Sequence, residues 1–253
     1  MNDRWLITPQ YFERPEPALR GVVPKGAMVN GPHGIADRSA ESMARLHRPI
    51  EAFARDTCQA GDRVMSIAGD CCAAIPVLAG SRAAGLDPVL VWIDAHGDFN
   101  TPRTSLSQFL GGMPLAMIVG RGEQWMCQSV GLQPLPEERV WLIDGRDLDP
   151  LERVALDASA VRRTGMAGLA SLRFDAPVHL HIDLDVLDAD EVAAHNYPVK
   201  GGPSIAETSQ ACRGFAAANE LCAISISGWT GSLDTDGCAQ AACLEIIEAL
   251  TLT

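Results

Sequence analysis

Short apolar runs rich in Val, Ile and Leu recur along the chain between longer stretches whose apolar residues fall at helical spacing. The runs at residues 63–68, 88–94, 139–144, 177–184 and 222–227 have strand length. Several are apolar throughout, as strands covered on both faces are. Between them, residues 39–55, 72–84, 150–162, 204–219 and 237–250 predict helices. Ser204 followed by Glu207 is a capping-box pairing that marks one helix start. Strand alternating with helix predicts an α/β fold, a mainly parallel sheet flanked by helices. The Gly- and Pro-containing stretches at 24–34 and 196–203 read as internal connections, and no repeat or low-complexity linker divides the chain. Residues 1–253 are therefore expected to form one catalytic domain.

In such sheets ligands gather beyond the carboxyl ends of the strands, and that is where this sequence turns acidic. The run VLVWIDAHGDFNTP delivers Asp94, His96 and Asp98, and VHLHIDLDVLDADE delivers Asp183 and Asp185. A spacing of two in extended chain puts side chains on one face. Carboxylates crowded at a buried strand end repel one another, and each unpaired buried ion is costly. One or two divalent cations would relieve this. The plainer alternative is that these acids cap loops or pair with arginines. Two clusters, each behind an apolar strand and one containing a histidine, favour metal.

Charge and composition narrow the picture. The formal net charge is −12, from 32 acids against 20 bases. That excess repels phosphate backbones and anionic lipid, so neither nucleic acid nor a membrane surface is an expected partner. No stretch reaches the roughly 18 apolar residues of a membrane-spanning helix. The opening residues MNDRWLITPQYFE carry no apolar run behind a basic segment, so no secretory leader is expected. Eight cysteines at irregular spacing, mostly in apolar segments, read as reduced thiols of a cytoplasmic protein.

The segments GDCC at 69–72, DAHGDFNTP at 94–102 and HIDLDVLD at 181–188 resemble the arginase or ureohydrolase superfamily, in the same order. Asn100-Thr101-Pro102 with Ser107 and then LGGMP resembles the arginase substrate loop, and GRDLDPLE at 145–152 resembles the segment that holds the α-ammonium group. The resemblance runs from about residue 60 to 235. It implies a three-layer αβα sandwich, a small amino-acid substrate, two Mn²⁺ per subunit and a homo-oligomer of the kind the family often forms. The implied metal ligands are Cys71, Asp94, His96, Asp98, Asp183 and Asp185, with Asp94 and Asp183 shared between the ions. By the same resemblance Asn100 and Ser107 suit the substrate carboxylate, and Asp147, Asp149 and Glu152 its ammonium. Asp98 or Asp185 would pass a proton to the departing amine.

The pattern breaks at three places. Cys71 stands where the family's GGDHS has a histidine; it would ligate as thiolate or merely pack. Gly111 stands where the family has a histidine often assigned as a proton shuttle, leaving His195, otherwise a plain loop residue, as the candidate donor. The glutamate of an EVNP-like segment is missing: SGWTGSLD puts Gly228 or Trp229 there, with Trp229 either an aromatic face or core. A neighbouring acid such as Asp234 could take the glutamate's place. His179 and His181 alternate with the metal aspartates and read as supporting or core residues.

A head group less cationic than a guanidinium accounts for the second and third breaks together. The resemblance is therefore closest to the superfamily's N-hydroxy-L-arginine hydrolases, which give L-ornithine and hydroxyurea, as in D-cycloserine biosynthesis. An ordinary arginase releasing urea is the alternative, and a non-catalytic binding protein on the same fold is a third.

Overall fold

The computed structural model describes residues 1–251; the last two residues of the expected 1–253 unit lie outside the described residues. The strands are β1 (Asp3–Thr8), β2 (Gln10–Tyr11), β3 (Arg14–Pro15), β4 (Met28–Val29), β5 (Arg63–Ala68), β6 (Val89–Asp94), β7 (Val140–Asp144), β8 (Arg162–Thr164), β9 (Val178–Asp183) and β10 (Leu221–Ser227). The helices are α1 (Ala40–Gln59), α2 (Ala74–Ala83), α3 (Pro114–Ile118), α4 (Trp125–Ser129), α5 (Pro150–Asp157), α6 (Met166–Leu169), α7 (Ile205–Ala216) and α8 (Cys238–Thr251). Eight strands form one sheet in the order β4-β1-β5-β10-β9-β6-β7-β8, with every pairing parallel. β2 and β3 make a small antiparallel hairpin beside it.

The period-2 alternation of the central strands sorts their side chains into two layers. Val91 and Ile93 of β6 and Leu180 and Ile182 of β9 point to one side, where they pack with Phe215 of α7 and Ile246 of α8. Leu90 and Trp92 of β6 point to the other, against Met43 and Leu46 of α1, Ile75 and Leu78 of α2, Leu115 of α3 and Met126 of α4. Helices thus cover both faces, giving the αβα sandwich. Among the described residues no helix is long and apolar enough to cross a membrane.

The five predicted strands are present with ends shifted by a residue or so, and the helix predicted for 204–219 begins at its capping box: Glu207 N–H donates to Ser204 Oγ at 3.2 Å and Ser204 N–H to Glu207 Oε2 at 2.9 Å. The helix that falls furthest short of its predicted length is α5. The segment 150–162 stops being helical at Asp157, and Arg162–Thr164 becomes the sheet's last strand. Edge strands are short and charged, so an Arg-Arg-Thr strand has no hydrophobic pattern to announce it. The opposite edge, β4, and its neighbour β1 also escape the apolar-run reading.

Arg146 ties together the loops at the carboxyl edge of the sheet. Its guanidinium pairs with Asp144 and donates to the carbonyls of Val186 (3.0 Å), Val199 (2.9 Å), Leu187 (3.4 Å) and Lys200 (3.3 Å). Two of those carbonyls, of Val186 and Leu187, directly follow Asp185, so one side chain anchors the turn that carries it to β7. Both members of the ion pair are mostly buried, and removing one leaves the other uncompensated. Arg146→Ala is expected to lower stability by about 3 kcal/mol, read as a shifted urea midpoint in metal-free protein; an unchanged midpoint would show that the loops hold without it.

Candidate metal centre and substrate pocket

Asp94 and Asp183 end the adjacent strands β6 and β9, one residue beyond the register pair Ile93 and Ile182. Each carboxylate folds the chain that follows. Asp94 Oδ1 accepts from His96 N–H at 2.7 Å while Oδ2 accepts from Trp92 Nε1 at 3.1 Å. Asp183 Oδ1 accepts from Asp185 N–H at 2.9 Å, starting a single helical turn over Leu184–Val186. These Asp-capped turns swing His96 and Asp185 back over the strand ends. Cys71 comes from the turn after β5, where Asp70 Oδ1 accepts from Cys72 N–H (3.1 Å) and Oδ2 from Phe12 N–H (3.1 Å).

Two triads offer donor atoms all within 4.8 Å of one another: Cys71, Asp94 and Asp183, and Asp94, His96 and Asp185. They share Asp94. Asp98, in a left-handed backbone conformation (φ 48°), stands outside both triads but lines the same cavity. Asp94, Asp98, Asp183 and Asp185 are all buried. Among the described residues, Asp98 Oδ2 and Asp185 Oδ1 have no hydrogen-bond partner, although buried polar atoms nearly always find one. Burial, together with the neighbouring Asp94 and Asp183 charges, holds both carboxyls well above the usual carboxylate range. His96 Nδ1 lies 3.1 Å from Asp185 Oδ2 and 3.3 Å from Asp94 Oδ1. Burial opposes its charged form, but those carboxylates prevail and push it up to about 12. The Cys71 thiol, raised by burial and by Asp183, donates to Asp183 Oδ2 at 2.6 Å. Each of these protons occupies a lone pair that a cation would take. The residues fit a divalent ion: buried, oxygen-rich, short of positive charge, with two carboxylate oxygens left over.

Above the donors lies a cavity of about 290 Å³ lined by, among others, Asn100, Ser107, Gly111, Asp147, Asp149, Glu152 and Gly228. The expected amino-acid-binding residues therefore share its wall, in different capacities. Asn100 Nδ2 donates to Asp149 Oδ2 at 3.1 Å, and its Oδ1 is buried without a partner. Both Glu152 oxygens accept backbone N–H groups, from Phe99 (2.8 Å) and Asp149 (3.2 Å), so this acid braces the loop. Burial raises it to about 7.

At three positions burial and hydrogen bonding bear on readings the sequence left open. His195, read as a donor facing the substrate or else a plain loop residue, is buried and absent from the cavity wall. Its Nδ1–H donates to the Gly228 carbonyl at 3.0 Å, which holds the ring behind that residue. Trp229 is core, packed in the α7/α8 layer, and offers the cavity no aromatic face. Asp234 cannot take the missing glutamate's place: its carboxylate accepts the N–H groups of Ala239 (3.1 Å) and Gln240 (2.9 Å) at the start of α8. His179 and His181 do lie beneath the site, both hydrogen-bonded to Ser225 Oγ. Sequence reasoning missed Tyr11, Phe109 and Tyr197 as lining residues. The available signal was Phe109's place between Ser107 and the Gly-Gly pair of the substrate loop.

Residues 29–252 match the sequence profile of the arginase family. The chain belongs to that family. An arginase from Schizosaccharomyces pombe is 27% identical over 225 residues, 79% of this chain and 67% of that protein. An N(omega)-hydroxy-L-arginine amidinohydrolase from Streptomyces lavendulae is 36% identical over 152 residues, 56% of this chain and 52% of that protein. The match thus spans between about half and two thirds of such curated relatives. The solved arginase of Bacillus caldovelox superposes with a TM-score of 0.85 at 25% identity, covering 98% of this chain and 97% of that one.

Within this arginase-family site Gly228 has a φ of 86°, and a Cβ built on it would lie 1.7 Å from Asp183 Oδ1. The position therefore admits no side chain unless Asp183 moves. Gly228→Ala combines left-handed strain with overpacking and is expected to cost about 3 kcal/mol and to weaken metal binding by displacing Asp183. Denaturation of metal-free protein and metal stoichiometry check both; wild-type values in each would show that Asp183 yields freely.

Proposed function

We propose that this chain is a dinuclear manganese hydrolase that cleaves the guanidino group of N-hydroxy-L-arginine to L-ornithine and hydroxyurea. The observation that carries the reading is the glycine at 228, pressed against Asp183, with Asp234 committed elsewhere and no acidic side chain there to meet a guanidinium. A guanidinium is always charged. A hydroxylated guanidine loses its proton more easily and enters neutral. The Streptomyces lavendulae relative acts, by its name, on N(omega)-hydroxy-L-arginine. The arginase from S. pombe, similar over more of the chain, keeps L-arginine as the second reading.

Cys71, Asp94, His96, Asp98, Asp183 and Asp185 would hold the two ions, and a carboxylate-rich set suits Mn²⁺. Bound there, the cations supply the charge that lowers the pKa of a water and stabilises charge at the reacting carbon. At the cavity's outer end, Asp147 and Asp149 receive the α-ammonium while Asn100 and Ser107 donate to the carboxylate. Glu152 holds that loop through two backbone N–H groups. Asp98 or Asp185 would take the nucleophile's proton and return it to the departing nitrogen. His195 keeps the chain at Gly228 in place through its hydrogen bond to that carbonyl.

Loss of one partner of a desolvated charge pair costs roughly 2–5 kcal/mol, at least about a thirtyfold factor. L-Arginine bears that loss in full, so kcat/KM for N-hydroxy-L-arginine should exceed that for L-arginine by at least about thirtyfold. Side-by-side initial rates at one pH, with urea and hydroxyurea measured as products, decide it. Equal rates would leave an ordinary arginase activity, and no turnover of either would leave a binding protein.

A further inference from the structure

Part of the cavity wall is aromatic. Phe109 is half-buried and lines the cavity together with Tyr11 and Tyr197. Its ring lies 5.0 Å from Tyr197 and 6.5 Å from Tyr11, stacked nearly parallel to the latter at 18°, and meets Phe12 edge-on at 5.8 Å. The Arg38 guanidinium sits 4.6 Å from the Phe12 ring and 5.6 Å from that of Phe109, and is fixed by two hydrogen bonds to Glu13 (2.7 and 3.0 Å). Phe109 is therefore braced on several sides.

What the ring replaces is visible at Gly111, another lining residue. A Cβ there would stand 2.4 Å from Phe109 Cε1 and 2.6 Å from Cζ. The ring occupies the volume that any side chain at 111 would need, so along this stretch of wall an aromatic surface stands in place of a residue-111 side chain. Such a face discriminates by shape and polarisability. It attracts planar, delocalised groups, cationic or neutral, and gives a saturated tail only ordinary contact.

We propose that Phe109, seated over Gly111 and braced by its aromatic neighbours, is a specificity-determining residue whose ring stacks on the planar head group of the substrate. This rests on the reading of the cavity as a site for an amino acid with a guanidine-type end and adds to it the surface that recognises the plane. A neutral planar head loses less hydration on entering than a guanidinium does, so an uncharged wall favours the hydroxylated substrate further.

The test uses binding, independent of turnover. Manganese-loaded protein is titrated calorimetrically with L-citrulline, whose ureido end is planar and uncharged, and with L-norleucine, which has the same amino-acid end and no head group. Phe109→Leu keeps most of the bulk without the face, and Phe109→Tyr keeps the face. The leucine variant should raise the Kd for L-citrulline about fivefold, the size expected of an aromatic stack, while L-norleucine changes by less than about twofold and the tyrosine variant binds both as wild type does. Norleucine binding also reports that the leucine variant is folded. Unchanged citrulline affinity, parallel weakening of both ligands, or no citrulline binding by the wild type would each overturn the proposal. Failure to hydrolyse N-hydroxy-L-arginine would defeat the proposed activity alone, leaving citrulline selectivity to decide the role of Phe109.

Discussion

Four buried carboxylates share the end of two neighbouring strands, and their mutual repulsion is the constraint around which the site is built. The sheet order places β9 directly beside β6, and the pleat turns Asp94 and Asp183 to the same side as Trp92 and His181 in the row beneath. Each aspartate is held by a backbone N–H of the turn it starts, so neither can rotate away without unfolding that turn. Asp185 is brought in by one of those turns and Asp98 follows the other, and each keeps an oxygen that no described residue satisfies. The arrangement is costly as it stands and becomes favourable once cations enter, because a buried charge needs a partner.

The layer beneath the carboxylates offers no relief. His181 Nδ1 and His179 Nε2 both hydrogen-bond Ser225 Oγ, at 2.8 and 2.9 Å, and burial lowers each imidazole to about 3. They are neutral hydrogen-bonding props. Ser227 Oγ lies 3.3 Å from Cys71 Sγ and 3.4 Å from His181 Nε2, linking the props to the thiol. His179 and His181 therefore add no positive charge beneath the four buried carboxyl groups. That excess of acidic groups is what a bound cation would relieve. It also explains why glycine suits position 228, where a carboxylate would add a further negative charge next to Asp183.

How much of this could be read from the chain divides along a clear line. Central strands were legible because residues such as Val89 to Ile93 sit between two covered faces, and continuous apolar runs advertise that. Asp94, His96, Asp98, Asp183 and Asp185 were legible as acidic clusters directly behind apolar strands, but strand pleat does not align them: β6 ends at Asp94 and β9 at Asp183, and the capped turns that follow bring His96 and Asp185 back over the strand ends. The edge strands β4 and β8 were not, since an exposed edge needs no hydrophobic signature. Roles set by contacts distant in sequence were not legible either. Glu152 shares its carboxylate between the N–H groups of Phe99 and Asp149, and His195 is held behind Gly228 by that residue's carbonyl. Asp234 sits where a replacement acid would be sought, yet caps a helix. The aromatic wall was hidden for the same reason, because Tyr11, Phe109 and Tyr197 come from three separate segments.

The most direct test of the central claim is anomalous diffraction at the manganese edge from crystals grown with Mn²⁺. The expected result is two peaks per chain over Asp94 and Asp183, one within bonding distance of Cys71 Sγ and the other within bonding distance of His96 Nδ1. A single peak, or two with neither near Cys71, would contradict a dinuclear centre assembled by these carboxylates and the thiol.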